Sequence, residues 1–197
     1  MTQGTSFIRT GQRIERGLER LPGIFRLARE LCPDLFVAEE TRTFDALHDH
    51  IPLGFVDGLR KEISAKLDLP LAIFSLDRFS IHGCGPVGLH DDSFRYPHFY
   101  FVMVVVHSGR LGLVDSESRA VRHDVGEIVL LDPRRKHGLL LEGMRAEDHV
   151  YESTHSPVHD EDRQFLFLDL DVRRSDLQAR FRKADRAPHE PVRPSSP

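Results

Sequence analysis

Hydrophobic positions in the first third of the chain recur at helical spacing. Ile8, Ile14, Leu18 and Leu21 follow Thr5 and Ser6, residue types that cap helices, and Pro22-Gly23 would interrupt the stripe. Ile24, Leu27, Ala28 and Leu31 resume it and stop before Pro33. A second helix is predicted over roughly 55–68, where Phe55, Leu59, Ile63 and Leu67 repeat at i, i+4. From Pro70 the texture changes to short β-like runs punctuated by Gly, Asp, Pro and Ser. These runs are 71–81, 86–90, 98–106, 110–114, 119–123, 127–131, 137–141 and 164–172. Many short strands with short connections indicate a sandwich or barrel. The expected architecture is mainly β with flanking helices, in one domain over 1–186. Residues 1–69 would form a helical buttress, 70–172 the β core and 175–186 a C-terminal helix, with 187–197 a disordered Pro-rich tail.

Composition narrows the function classes. A length of 197 residues suits one domain, and a 40% apolar share suits a soluble chain with a sizeable core. The formal charge of −4 gives no electrostatic case for nucleic acid or an anionic membrane. No run has the length of a transmembrane helix, and the N-terminus carries charges where a signal peptide needs apolar residues. Two cysteines, Cys32 and Cys84, are too few for a disulfide framework, so a cytoplasmic location is expected. One departure stands out, the 12 histidines.

The chemistry lies where histidines meet strand ends. In a strand, residues i and i+2 share a face, so His90 and Asp92 can converge on one point. His137 opens a later run and is the obvious third ligand. Two imidazoles and one carboxylate on one face of an octahedron leave positions open, the arrangement of non-haem Fe(II) oxygenases. His-x-Asp/Glu alone is a weak signal, since His159-Asp160-Glu161 also carries it; the strand context is what strengthens the first.

Arg78-Phe79, Gly85, His90-x-Asp92, Gly109-Arg-Leu-Gly-Leu, Gly126-Glu-Ile-Val-Leu-Leu-Asp-Pro and His137-Gly together resemble the prolyl-hydroxylase-like branch of the 2-oxoglutarate/Fe(II)-dependent oxygenases. The resemblance spans roughly 70–172. It implies a double-stranded β-helix (jelly roll, cupin-like) with helices packed on one sheet. It further implies Fe(II) on His90, Asp92 and His137, with 2-oxoglutarate and O2 as co-substrates. The implied activity is hydroxylation of a small molecule or a peptidyl side chain. The alternative is a cupin-like metal-binding jelly roll without that chemistry, although cupins favour His-x-His over His-x-Asp.

In this family a basic residue on the last core strand binds the second carboxylate of 2-oxoglutarate. Arg145, within Gly143-Met144-Arg145, has the family's spacing, but the residues after it make a poor strand. Arg163 directly precedes the convincing strand and is slightly favoured; an Arg fork suits a carboxylate. Tyr100 could hydrogen-bond the same carboxylate or sit in the core. His82 and Cys84 could line the pocket, whereas His48, His50, His107 and His123 read as surface. Substrate contacts are expected from 93–97, with Arg95 and Tyr96, and from the His-rich segment 143–162, which holds His149, His155 and His159.

Overall fold

A computed structural model describes residues 5–74, 79–96, 99–153 and 156–185. Arg78, His98, His155 and the tail 187–197 lie outside the described residues. The elements in order are β1 (Phe7–Arg13), α1 (Leu21–Leu31), β2 (Arg42–Thr43), α2 (Leu53–Leu67), β3 (Ser80–Cys84) and β4 (Val87–His90). They continue with β5 (Phe99–His107), β6 (Leu111–Val114), β7 (Glu127–Leu131), β8 (His137–Leu141), β9 (Phe165–Arg173) and α3 (Arg174–Ala184). No helix among the described residues is long and apolar enough to cross a membrane.

The fold is mainly β, with two antiparallel sheets. A six-stranded sheet runs β1-β7-β5-β9-β3-β2, and a three-stranded sheet runs β4-β8-β6. From β3 to β9, consecutive strands alternate between the two sheets. Strand alternation divides the side chains of β5 and β9 between two cores. Val102, Val104 and Val106 pack with Leu166, Leu168 and Leu170 against the helices. Phe101, Met103 and Val105 pack with Phe165 and Phe167 against the small sheet. The central strands β5 and β9 are therefore buried on both faces, which is why YFVMVVV and FLFL are continuous apolar runs. Each such side chain contributes roughly 1.5–3 kcal/mol relative to exposure.

Three expectations need correction. Residues 7–13 form a strand and not a helix, pairing with β7 through Ile8↔Leu130 and Arg9↔Val129. Gly11 at φ 68 is left-handed, which interrupts helix propagation, and the register shifts around it. Thr10 Oγ1 donates to the Ile128 carbonyl at 2.7 Å, so β1 is fastened by its polar side chains. Within 71–81, residues Leu71–Ile73 form a single 3-10 turn and the strand begins at Ser80.

Among the described residues the run 119–123 joins no ladder beyond one bridge, Arg119↔Arg145. The reason is local. The Leu113 amide donates to His123 Nε2 at 3.3 Å, so an imidazole takes the place of a strand carbonyl on that stretch of β6.

Candidate metal centre

β4 and β8 pair so that His90 lies directly opposite His137 at the end of their ladder. Beyond it the chain turns. The Asp92 amide donates to the Pro133 carbonyl at 2.6 Å, and the Asp92 carbonyl accepts from the amides of Arg95 (3.0 Å) and Tyr96 (2.9 Å). These backbone bonds fix Asp92 beside the two histidines. Its Oδ2 lies 3.8 Å from His90 Nε2 and 3.7 Å from His137 Nε2. Ligand atoms of all three lie within 4.8 Å of one another.

The other face of each ring is committed. His90 Nδ1–H donates to the Gly88 carbonyl at 2.9 Å, and His137 Nδ1–H donates to the Arg135 carbonyl at 2.8 Å. Since carbonyls only accept, each ring carries a proton on Nδ1, which leaves Nε2 as the atom a neutral imidazole would offer at the shared point. Burial, aided by the neighbouring His137, lowers the pKa of His90 and favours the neutral ring that a metal requires. Burial of Asp92 acts to raise its pKa, but the neighbouring His137 and His90 rings and the Arg95 guanidinium leave it lowered. The donor set is thus a carboxylate and two pre-oriented imidazoles, a fit for a divalent transition metal.

The three groups open onto a cavity between the sheets. Val87, Phe101, Met103, Leu113, Phe165 and Phe167 supply apolar walls. Thr41, Thr43, His82 and Cys84 form a polar strip, and Arg95 and Tyr96 also line the space. Burial pushes His82 down to about 4 and the Cys84 thiol up to about 12, so neither carries charge at neutral pH.

The remaining site expectations are placed elsewhere. Tyr100 does not line this cavity; it faces the helices, where it stacks on Phe181 at 5.0 Å and its Oη accepts from Arg134 Nη2 at 2.7 Å. Strand parity decides this, because Phe101 takes the inward position. Arg145 is exposed and pairs with Glu147. Arg163 sits in the 3-10 turn before β9 and donates to Glu152. Neither arginine lines the cavity.

His123, read as a surface residue, is fully buried and donates from Nδ1 to Glu127 Oε2 at 3.1 Å. His107 stacks on Phe25 at 3.6 Å, and His48 stacks on Phe79 at 4.7 Å. His149, in the 143–162 segment, contacts Glu39 Oε1 at 2.5 Å. Thr41 and Thr43 escaped sequence reasoning because the two-residue β2 carries no periodic signal. Arg95 and Tyr96 do reach the site, from the 93–97 loop. No protein-family model matches the chain, and no curated protein matches it at a significant level.

Proposed function

We propose that this protein is a mononuclear non-haem Fe(II) oxygenase whose metal is held by His90, Asp92 and His137. The observation that carries the reading is the convergence of two Nε2 lone pairs and one carboxylate, with both Nδ1–H groups tied to backbone carbonyls. Alternation of β3 to β9 between two antiparallel sheets supports a double-stranded β-helix. When bound, the metal would supply activation of O2 for substrate oxidation, with the positions not filled by protein open to small ligands.

The chain's own part is positioning and exclusion. The Gly88 and Arg135 carbonyls orient the imidazoles, and the turn at Asp92 directs the carboxylate. The aromatic and aliphatic walls keep the space beside the metal poor in water, which strengthens electrostatic interactions there. Substrate is oriented by Arg95, Tyr96 and the polar strip of Thr41, Thr43 and His82. 2-Oxoglutarate fits less well than the metal does. The arginines expected to hold its second carboxylate, Arg145 and Arg163, stand outside the cavity, so no step here involves it.

Anaerobic titration with Co(II), read by its visible absorption, tests the metal assignment. Wild type should take up one equivalent, and Asp92→Ala should lose at least about 100-fold in affinity while its melting temperature stays close to wild type. Equal Co(II) affinity in Asp92→Ala would contradict the assignment.

A further inference from the structure

β4 forms an edge of the three-stranded sheet, and its ladder with β8 is irregular just before His90. Val87 stands opposite Leu139 and His90 opposite His137, so Gly88 and Leu89 share the space across from Gly138. An extra residue of this kind bends a strand and re-aims the side chains that follow it. The approach is close. A Cβ on Gly138 would stand 2.9 Å from the Val87 carbonyl oxygen and 3.3 Å from that of Gly88.

Glu39 holds this bulge from outside the ladder. Its Oε2 accepts the Gly88 amide at 2.9 Å, while its Oε1 accepts His149 Nε2–H at 2.5 Å and the Glu152 amide at 3.2 Å. Its own amide donates to the Pro86 carbonyl at 2.8 Å. The Glu39 side chain is 5% exposed, and the His149 ring closes over Gly88, where an added Cβ would meet Cδ2 at 3.0 Å. Neither Glu39 nor His149 lines the cavity.

Glu39 stands at φ 61, within the tight turn that the Val37↔Glu40 bridge closes. Glycine or asparagine suits that left-handed position, and another residue held there costs about 1 kcal/mol or more. The turn therefore does not account for a glutamate; the three N–H groups converging on its carboxylate do.

Gly88 passes the constraint on to His90. Its amide is bound by Glu39, and its carbonyl accepts His90 Nδ1–H at 2.9 Å. The His137 ring is fastened separately, by the Arg135 carbonyl, in a turn where the Arg135 amide donates to the Asp132 carbonyl at 3.1 Å.

Resting on the metal reading above, we infer that Glu39 is a positioning residue for His90. It holds the β4 bulge so that the Gly88 carbonyl keeps Nε2 of His90 turned toward Asp92. His149 holds Glu39 in turn, which ties the 143–162 segment to the centre. Loss of a group that orients a ligating imidazole typically lowers metal affinity by roughly 10–100-fold.

Glu39→Gly separates the carboxylate from the turn, since glycine adopts φ 61 without strain. Co(II) affinity is read from the visible band, and the Nδ1–H groups of His90 and His137 are followed by NMR of histidine-labelled, Zn(II)-saturated protein. Glu39→Gly should bind Co(II) at least about tenfold more weakly than wild type. Its His90 Nδ1–H should exchange with solvent at least about tenfold faster, while that of His137 keeps the wild-type rate. A general loosening of the fold would change the two protons alike. Co(II) affinity within about twofold of wild type overturns the inference, and so does a loss of affinity in which both protons respond alike. If Glu39→Gly does not fold, His149→Ala decides, because it leaves the two amide bonds to Glu39 in place. It should weaken Co(II) binding at least about threefold, with the same acceleration confined to His90. Unchanged affinity in His149→Ala, or a matched response of the two protons, overturns the inference. Failure of the metal reading looks different, because wild type itself would then show no Co(II) band.

Discussion

Glu127 joins three parts of the chain through one carboxylate. Arg9 donates to it twice, at 2.7 Å and 2.7 Å, and His123 Nδ1–H and the Asp124 amide add bonds of 3.1 and 3.2 Å. Burial acts to raise its pKa, but the hydrogen bonds from His123 and Arg9 prevail and hold it at about 2, against an ordinary value of 4.5. Because the folded value lies below the unfolded one, the stabilisation is complete above the unfolded pKa and disappears as pH falls through the folded one. The melting temperature should therefore drop between about pH 5 and pH 2, and Glu127→Gln should flatten that slope while costing about 2 kcal/mol at neutral pH. Melts of both proteins across that range check it; an unchanged slope in Glu127→Gln would remove Glu127 from the acid response. This network also explains why His123 was misread from sequence. Its burial depends on Glu127 and on the Leu113 amide, partners that no local pattern around Val121-Arg122-His123 advertises. His90 and His137 were legible because each stands at a strand end, whereas Asp92 lies past the end of β4 and reaches them through a turn bonded to Pro133, which the i, i+2 pattern of a strand does not describe.

At the scale of elements, β6 is closely approached at Gly112. A Cβ on Gly112 would stand 2.3 Å from the Val121 carbonyl oxygen, so the strand and the 119–123 run approach through a position without a side chain. Gly112→Ala is expected to destabilise the fold by about 3 kcal/mol, read from urea denaturation, because the obstructing atom is backbone and cannot turn aside. A loss under about 0.5 kcal/mol would mean that the two segments lie further apart than described. The strands β4 to β9 were readable in outline because apolar runs bounded by turn residues report burial directly. β1 was not. Its apolar residues happen to fall near helical intervals, while Gly11, Thr10 and Arg9, which fasten it to β7, are polar or side-chain-free and add no periodic signal.

At the scale of the molecule, two cores share the large sheet. α1, α2 and α3 contribute Phe25, Leu59, Ile63 and Phe181 to the core on one face, while the cavity with His90, Asp92 and His137 lies on the other. This division accounts for what the sequence could not show about the site. Whether Tyr100 faces a cavity or a helix depends on strand register, and whether Arg145 or Arg163 reaches the interior depends on how 143–162 folds back. Both are long-range outcomes; Arg163 ends up on Glu152 and Tyr100 on Phe181. The short-range part of the site, the pairing of a strand-end His-x-Asp with a returning His, survives because the β4–β8 ladder brings His90 opposite His137. The central claim is that these three side chains hold one metal ion. Anomalous diffraction at the iron edge from crystals grown anaerobically with Fe(II) tests it most directly. The account expects one peak about 2.0–2.2 Å from His90 Nε2, His137 Nε2 and an Asp92 oxygen. A peak at another cluster, or none at this triad in iron-saturated crystals, would contradict it.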